Sequence, residues 1–461
     1  MLKVSLRSTT RTALSRSNSA GEQAVVNGQA LSRDVQVDAG SNVTLLSLTM
    51  TGGSTAGSGG GILNNGTLTL VGVSAGGDHA AGAGGGLDNQ GVVNIAMSTF
   101  NGDSAAVGGG IFDAGSVTIA NSLIEGNVEG GIVMTSSGNI VVSNLIRGNE
   151  GPGVMIAGGA NNTIGTLYAP NTIAYNSGAG VGVVGADAVG NSIRGNSIYL
   201  NGNLGINFGG GWPLANHVGI VTSGPNLLQN APEIASFTNG GTTNVQGSLS
   251  ANPNSTYTVD FYANDVIDAN YYGEGQEWIG AIQVTTDGAG NASFNANLTT
   301  PTAFGAIVTS TATDMNGNTS EFSFVSPQLQ IDSLKQIVAG LYDGGVFNFG
   351  RANAFDAKLN AALASLNHGQ AFVAVHQLGA FEHQTLAFLL NGILPQRAGF
   401  DLYDGAQNLI NRLDGFVSDG PIQLLGNSGL VGIGSIEIGG GSSGDQGNQG
   451  NSGGNHGHGR G

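Results

Sequence analysis

Cysteine is absent from this chain, and charge is scarce. Without a thiol there is no disulfide and no thiolate metal site. Lys and Arg together number 13 and Asp and Glu 30 in 461 residues, for a net charge of −17. A nucleic-acid partner demands a basic face, so none is expected. Binding to an anionic membrane surface is disfavoured for the same reason. No run approaches the ~18 apolar residues of a spanning helix, so no membrane span is expected. Lys3, Arg7, Arg11 and Arg16 open the chain without an acid between them, yet no apolar stretch follows. A complete secretory leader is therefore not visible, and residues 1–34 read as a partly disordered terminal segment.

What the chain has instead is 82 glycines. Polarity comes from Asn, Ser and Thr, and 40% of residues are hydrophobic. Glycine supplies the positive φ angles that tight turns need. The glycines are periodic. Paired Gly precedes an aliphatic residue at Ile62, Leu87, Ile111, Ile132, Val154, Val181 and Ile206, in steps of 25, 24, 21, 22, 27 and 25. A second column ends segments such as STFNGD and SLIEGN at Asp78, Asp103, Asn127, Asn149, Asn176 and Asn201, in steps of 25, 24, 22, 27 and 25. Between the columns lie β-rich runs (GTLTLVGV, GVVNIAMS, GSVTIANS) too short for helices.

Two columns that keep the same changing interval describe the rungs of a solenoid. Neighbouring rungs would pair at about 4.8 Å, making a rod of roughly 30–35 Å. An Asn at each corner would bond the turn and the Asn above it, as a structural ladder. Phe100, Ile124, Ile146, Ile173 and Ile198, three places earlier, should stack in the core. Asp78 and Asp103 interrupt the Asn column, and stacked carboxylates repel. They are expected at a corner facing solvent, with Ca2+ as the one candidate cofactor there.

GGGILNNGTLTL, GGGLDNQGVVNI and GGGIFDAGSVTI, each with its following STFNGD-like segment, resemble polymorphic outer-membrane protein repeats. Those repeats carry a GG-aliphatic and an F-x-x-N motif and form right-handed parallel β-helices of surface proteins. The resemblance covers about residues 35–150. The F-x-x-N aromatic is present at Phe100 and aliphatic elsewhere. The stretch to about 225 is similar to the wider pectate-lyase-like β-helix class. The resemblance implies a secreted or cell-surface bacterial protein of adhesin type.

After the turn-rich GPNLLQNAPEI, alternating strands (NVQGSL, TYTVDFYAN, EWIGAIQVTTD, NASFNANL, AIVTSTATD) suit a β-sandwich over 226–326. Asp287 to Asn291 reads as a hairpin turn. The segment resembles immunoglobulin-like modules of bacterial surface proteins. Asp314, Asn316, Asn318 and Glu321 have a superficial calcium-loop spacing, without flanking helices and with the Glu out of register. Tyr271, Tyr272 and Trp278 gather three aromatics in one loop, the best ligand-binding candidate for a carbohydrate or protein partner. From about Leu329 the period becomes 3.6, and four or so helices over 327–418 form a small bundle. It resembles small helical modules of bacterial extracellular proteins. His368, His376 and His383 are expected to be exposed. Residues 419–461 read as a Gly-rich disordered tail.

The fold class is thus mainly β: a right-handed parallel β-helix over 35–225, an immunoglobulin-like sandwich, then a helical bundle. The alternative to a non-catalytic binding scaffold is a polysaccharide lyase or hydrolase acting along the β-helix face. Inverting hydrolysis needs two carboxylates roughly 6.5–9.5 Å apart. Aligned on the GG motif, Asp113 falls beside Asn89 and Asn64 rather than Asp88, hence on the opposite strand face. A lyase needs basic subsites, and residues 60–225 hold only Arg147 and Arg194. No catalytic residue is assigned.

Overall fold

The computed structural model describes residues 4–6, 12–15, 24–209, 213–265 and 273–418. The first half is a parallel β-solenoid of three long sheets with nine, eight and eight strands, and a short parallel pair, Ser54–Thr55 with His79–Ala80, beside them. The first sheet runs from Val4–Leu6 through Val35–Val37 and Ile62–Asn64 to Ile206–Asn207. The second runs from Thr12–Ser15 to Ser192–Ile193, and the third from Ala24–Asn27 to Ser197–Tyr199. The strands at Ala24–Asn27 and Val35–Val37 lie ahead of the regular sequence repeat, which starts at Ile62. Their rung lacks the paired glycines because Asp34–Val35 stands where later rungs have Gly–aliphatic, with Val35 opposite Ile62.

Inside, Phe100, Ile124, Ile146, Ile173 and Ile198 stack in register and are fully buried. The ladder column lies beside them. Each rung's backbone N–H at this corner donates to the side-chain oxygen of the next rung. Asp78 donates to Asp103 (2.9 Å), Asp103 to Asn127 (3.0 Å), Asn127 to Asn149 (3.1 Å), Asn149 to Asn176 (3.2 Å) and Asn176 to Asn201 (3.3 Å). The Asn amides then donate back to the previous rung, Asn127 to the Phe100 carbonyl and Asn149 to that of Ile124. Asp78 and Asp103 do not face solvent as the sequence suggested: they are buried as deeply as the asparagines. The corner N–H is enclosed, so its acceptor must be enclosed with it.

The same packing explains the paired glycines. A Cβ on Gly110 would lie 2.8 Å from Asn127 Nδ2, and one on Gly131 2.9 Å from Asn149 Nδ2. The two sequence columns are two halves of one contact. Three further ladders run along the rod. Val117, Asn139, Asn162 and Asn191 donate in turn to Asn139, Asn162, Asn191 and Asn226. Ser98 and Ser122 give way to Asn144, Asn171 and Asn196 in another. Asn64, Asn89 and Asp113 form the fourth.

Six antiparallel strands follow in two three-stranded sheets around one apolar cluster. Glu233–Thr238, Thr243–Ser250 and Asn291–Leu298 form one, and Glu277–Thr285, Thr256–Asn264 and Ile307–Asp314 the other. The Asp287–Asn291 turn therefore crosses between sheets and is not a hairpin. Its closure (Asp287 N to Asn291 O, 2.9 Å) is local, while the strands it joins bury their inner faces against each other.

This unit closes the open end of the solenoid. Glu274 accepts from the Leu200 N–H, the Asn201 N–H (3.2 Å) and Asn201 Nδ2 (3.0 Å), serving as the next residue of the ladder. Thr319 accepts from Ile193 N, Tyr262 from Gly195 N, and Asn318 from Gly190 N. Arg194 forks onto buried Asp260 at 2.6 and 3.0 Å, and Trp278 Nε1 donates to the same carboxylate at 3.0 Å. Tyr262 and Phe322, edge to face at 5.3 Å, belong to the solenoid's own core cluster.

Four helices complete the described chain: α1 (Pro327–Asp343), α2 (Phe349–Asn367), α3 (Ala371–Leu390) and α4 (Gln396–Ser418). Ser326 and Asn348 cap α1 and α2 by accepting from Leu329 N and Arg351 N. Leu334, Ile337, Val338 and Leu341 meet Phe355, Leu359, Leu378 and Phe381 in one cluster. On α3, however, Phe372, Leu386 and Leu390 point outward, because only the Ala374–Leu378–Phe381–Thr385 stripe is covered. Buried Arg412 donates to the Val325 carbonyl at 2.8 Å, tying α4 to the segment that precedes α1.

Gly110→Ala should cost about 1–3 kcal/mol through overpacking against the ladder, read as a lower urea midpoint in circular dichroism. Asp260→Ala leaves Arg194 and Trp278 without their acceptor. It should cost about 3–5 kcal/mol and split one unfolding transition into two in calorimetry; a shift under ~1 kcal/mol would show that the junction is not held by this pair.

Candidate functional site

In a solenoid the faces open to ligands are the outward rows of the three sheets. On the first sheet, Asp88 lies in register with Leu63 and Phe112 and points outward, held by Gln90 Nε2 at 2.7 Å. Asp113 pairs with Asn89 and points inward, where it binds Asn89 Nδ2 and the Ser136 hydroxyl. The two acids on adjacent rungs are thus separated by the sheet. Burial pushes both carboxyls upward; Gln90 and Arg33 offset this at Asp88, and Ser136 and Asn89 offset it at Asp113.

The outward row of the third sheet runs Asn101, Glu125, Arg147, Ala174, Tyr199, with Arg147 paired to Glu125 at 2.9 Å. One residue further along the chain lies the corner row Gly77, Gly102, Gly126, Gly148, Tyr175, Leu200. Its first four members adopt φ of 62–70°, the left-handed region that glycine enters freely. Tyr175 holds φ 58° at the same place with an aromatic side chain. A bulky residue there costs on the order of 1 kcal/mol. Its ring is 57% exposed and meets Tyr199 edge to face at 5.7 Å. The pair presents an aromatic surface beside the Arg147–Glu125 pair.

The other expected site residues lie elsewhere. Tyr271 and Tyr272 fall outside the described residues. Trp278 is spent on Asp260 and packs against the solenoid core. Asp314 closes its own turn, one oxygen accepting from Asn316 N (2.9 Å) and Asn318 N (2.8 Å), the other from Asn318 Nδ2 (2.8 Å). Asn318 is turned to Gly190 of the solenoid, and Glu321 caps Phe208 N and Leu214 N. Asp314 and Asn316 also border a shallow depression of 440 Å3 lined by Asn252, Tyr257 and Gln283. His368, His376 and His383 are exposed. Among the described residues no three His, Asp or Glu side chains converge as a metal site.

One cluster went unseen in the sequence: Asp34 joins Asp78 and Asp103 at the start of the ladder. All three are buried. Both oxygens of Asp34, and Oδ2 of Asp78 and of Asp103, lack a partner as carboxylates. Where the Asn rungs place an NH2, these place an acceptor, and enclosure there favours the protonated acid. Burial first, then Asp78, raises Asp34 to about 8. Burial raises Asp78 to about 6 and Asp103 well above its ordinary value. No signal marked Asp34 beforehand, since its rung lacks the paired glycines.

Three comparisons bear on this architecture. A family model described as periplasmic copper-binding protein (NosD) matches residues 51–218, less than half of the chain. No curated protein matches the sequence. Among solved structures, the chain is similar to a tailspike protein, gp49, of Acinetobacter baumannii bacteriophage Fri1, a capsular polysaccharide depolymerase. The two are 12% identical over 58% of this chain and 62% of that one, at a TM-score of 0.16. The chain thus spans under two thirds of that tailspike's length.

Groups neutral in the fold but ionised when unfolded stabilise it fully below about pH 4, their unfolded value. That stability is lost as pH rises through about 6 for Asp78 and about 8 for Asp34. Thermal melts between pH 5 and 9 should therefore fall in midpoint with rising pH. Asp103→Asn restores the missing donor; at neutral pH it should raise stability by about 1–3 kcal/mol and flatten the pH slope. A destabilised Asp103→Asn protein would contradict the buried-proton account.

Proposed function

We propose that this chain is a non-catalytic, extracytoplasmic β-helix scaffold that binds a carbohydrate on the outer corner around Tyr175 and Tyr199. The single observation carrying this is Tyr175 itself. Five earlier rungs, at Gly52, Gly77, Gly102, Gly126 and Gly148, use glycine at that left-handed corner; Tyr175 and then Leu200 (φ 53°) replace it with large exposed side chains, and of the two Tyr175 presents the aromatic ring. Sugar rings stack on such surfaces through their apolar faces, and Arg147 and Glu125 supply polar partners alongside. The right hand of the helix follows from the general handedness of parallel crossovers. Kinship with polymorphic outer-membrane repeats is supported by the GG-aliphatic column, and an immunoglobulin-like ancestry by the two packed antiparallel sheets. The boundaries at about 225, 326 and 418 belong to the same proposal.

Copper, named in the description of the matching family, is not carried over. Within residues 51–218, His79 contacts Ser104 and His217 the Leu228 carbonyl, Met134 is buried in the core, and exposed Met97 and half-buried Met155 lie on other strands and corners of the rod than either histidine. This donor set does not fit copper. Calcium at Asp314, Asn316 and Asn318 would require the turn to release its own hydrogen bonds.

Polysaccharide cleavage is the second reading, and it would depend on Asp88, which faces away from the core but is only 3% exposed. Incubating the protein with neutral and acidic polysaccharides and measuring reducing ends and unsaturated products separates the two. We expect retardation in affinity electrophoresis without product. Tyr175→Gly should keep or raise the melting temperature while weakening retardation at least fivefold. Product formation that disappears in Asp88→Asn would replace the scaffold by an enzyme, and unchanged retardation in Tyr175→Gly would remove the proposed site.

A further inference from the structure

The second sheet of the solenoid turns outward a face without an ionisable side chain. Its strands Asn42–Leu46, Thr67–Val71, Val92–Ala96, Ser116–Ala120, Ile140–Val142, Thr163–Ile164 and Ser192–Ile193 contain no Asp, Glu, Lys, Arg or His. The register aligns Thr69, Asn94, Thr118, Ile140 and Thr163 in one outward row. Val71, Ala96, Ala120 and Val142 form the next. From Thr67 to Thr163 these side chains are half-buried or exposed, with Val92 at 44% and Ile140 at 42%. At the adjoining corner Met97 is 62% exposed.

The other sides of the rod are charged. Glu125 and Arg147 mark the third sheet and Glu129 and Glu150 the loops that lead from it to the first, whose one acid facing away from the core, Asp88, is itself covered at 3% exposure. In a chain of net charge −17, two copies repel wherever such sides meet. The second sheet is where they can approach without burying a carboxylate. Shape points the same way. A row of strands spaced at about 4.8 Å has a corrugation that another sheet of the same pitch can match, packed face to face at about 10 Å. Under a two-fold axis one face supplies both halves of the contact. Four strands of five residues followed by strands of three, two and two give a tapering plane, roughly 29 Å along the rod and 17 Å across at its widest. The uncharged corner row of Ser47, Gly72, Met97, Asn121 and Ser143 widens it. That area sits at the small end of specific interfaces, the range of weak pairs below about 1,200 Å2 in total.

We infer that the outward face of the second sheet is a self-association surface, on which a second copy of this chain packs sheet to sheet. The pair is weak, depends on concentration and strengthens with salt, because salt screens the like charge of the two copies.

Sedimentation velocity of the full chain over a hundredfold concentration range tests this, at low and moderate salt. We expect a monomer–dimer equilibrium. Thr118→Asp and, separately, Asn94→Asp place carboxylates opposite one another in the pair and should weaken dimerisation at least tenfold. Asn101→Asp, on the third sheet, should leave it unchanged. Both face positions are solvent-facing, and an unaltered circular dichroism spectrum verifies folding; Asn94→Asp, the nearly isosteric change, serves if Thr118→Asp misfolds. A wild type that stays monomeric overturns the inference, as does a dimer indifferent to both acids. A monomer that binds polysaccharide or lipid vesicles through this face, with binding lost in Thr118→Asp, also overturns it and assigns the face to that partner.

Discussion

Everything in this structure depends on where the corner N–H groups of the solenoid find their acceptors. The sheets satisfy themselves, strand to strand, but at each corner the chain turns and its N–H points into the space between rungs. Water does not reach it, and an unpaired N–H there would cost several times the net value of a typical hydrogen bond. The chain answers with a side-chain oxygen from the following rung, in three columns, while a fourth, Asn64–Asn89–Asp113, links side chain to side chain. The Asn columns add a second bond, since Nδ2 returns to the rung before. Asparagine suits the corner because it accepts and donates along the same axis, whereas serine at Ser98 and Ser122 accepts from the neighbouring rung and donates within its own.

This arrangement has a direction. Each acceptor comes from the rung that follows, so the last rung of the solenoid is the one left without. The antiparallel unit exists, in physical terms, to supply what a further rung would have supplied. Glu274 stands in for the next Asn, Thr319 and Tyr262 cover the corners beside it, and Phe322 seals the apolar interior. The Arg194–Asp260–Trp278 contact then aligns the two units. At the opposite end no such acceptor is needed. There the column changes from Asn to Asp, and the deficit becomes one of donors, at three buried carboxyls whose proton affinity burial raises.

The solenoid was legible in the sequence because its repeat is a contact: a glycine is required wherever the ladder side chain of the next rung presses on it, so two columns keep step. The core stack at Phe100, Ile124 and Ile146 and the separation of Asp88 from Asp113 follow from the same register. Two of the four ladders escaped notice, since Asn139, Asn162 and Asn191, like Asn144, Asn171 and Asn196, look like ordinary turn residues outside the paired-glycine column. Asp34 escaped for the same reason. The solvent-facing expectation for Asp78 and Asp103 failed because it weighed the charge of an isolated carboxylate and not the enclosed N–H that calls for an acceptor. In the antiparallel unit, alternation located five of the six strands and missed Glu233–Thr238, and the Asp287–Asn291 turn could not reveal that the strands it joins belong to different sheets. Partner choice there is set by packing and not by the turn.

A rod whose interior is specified so fully leaves its outer rows unconstrained by folding, and those rows are where function can be read. Most outward positions carry small or polar residues that any solenoid of this kind would tolerate. Two depart from that neutrality in opposite ways. The second sheet departs by omission, keeping a row of seven strands free of charge in a strongly acidic chain. Tyr175 departs by excess, holding an aromatic side chain in a backbone conformation that the five rungs before it assign to glycine. Non-glycine residues hold positive φ at other corners too, Met97 and Leu200 among them, but Tyr175 is the one whose side chain is an aromatic ring set beside a second, Tyr199. Trp278, whose indole is already committed to Asp260, belongs to the cap, which leaves the corner around Tyr175 and Tyr199 as the place on the rod where we propose contact with something outside the chain.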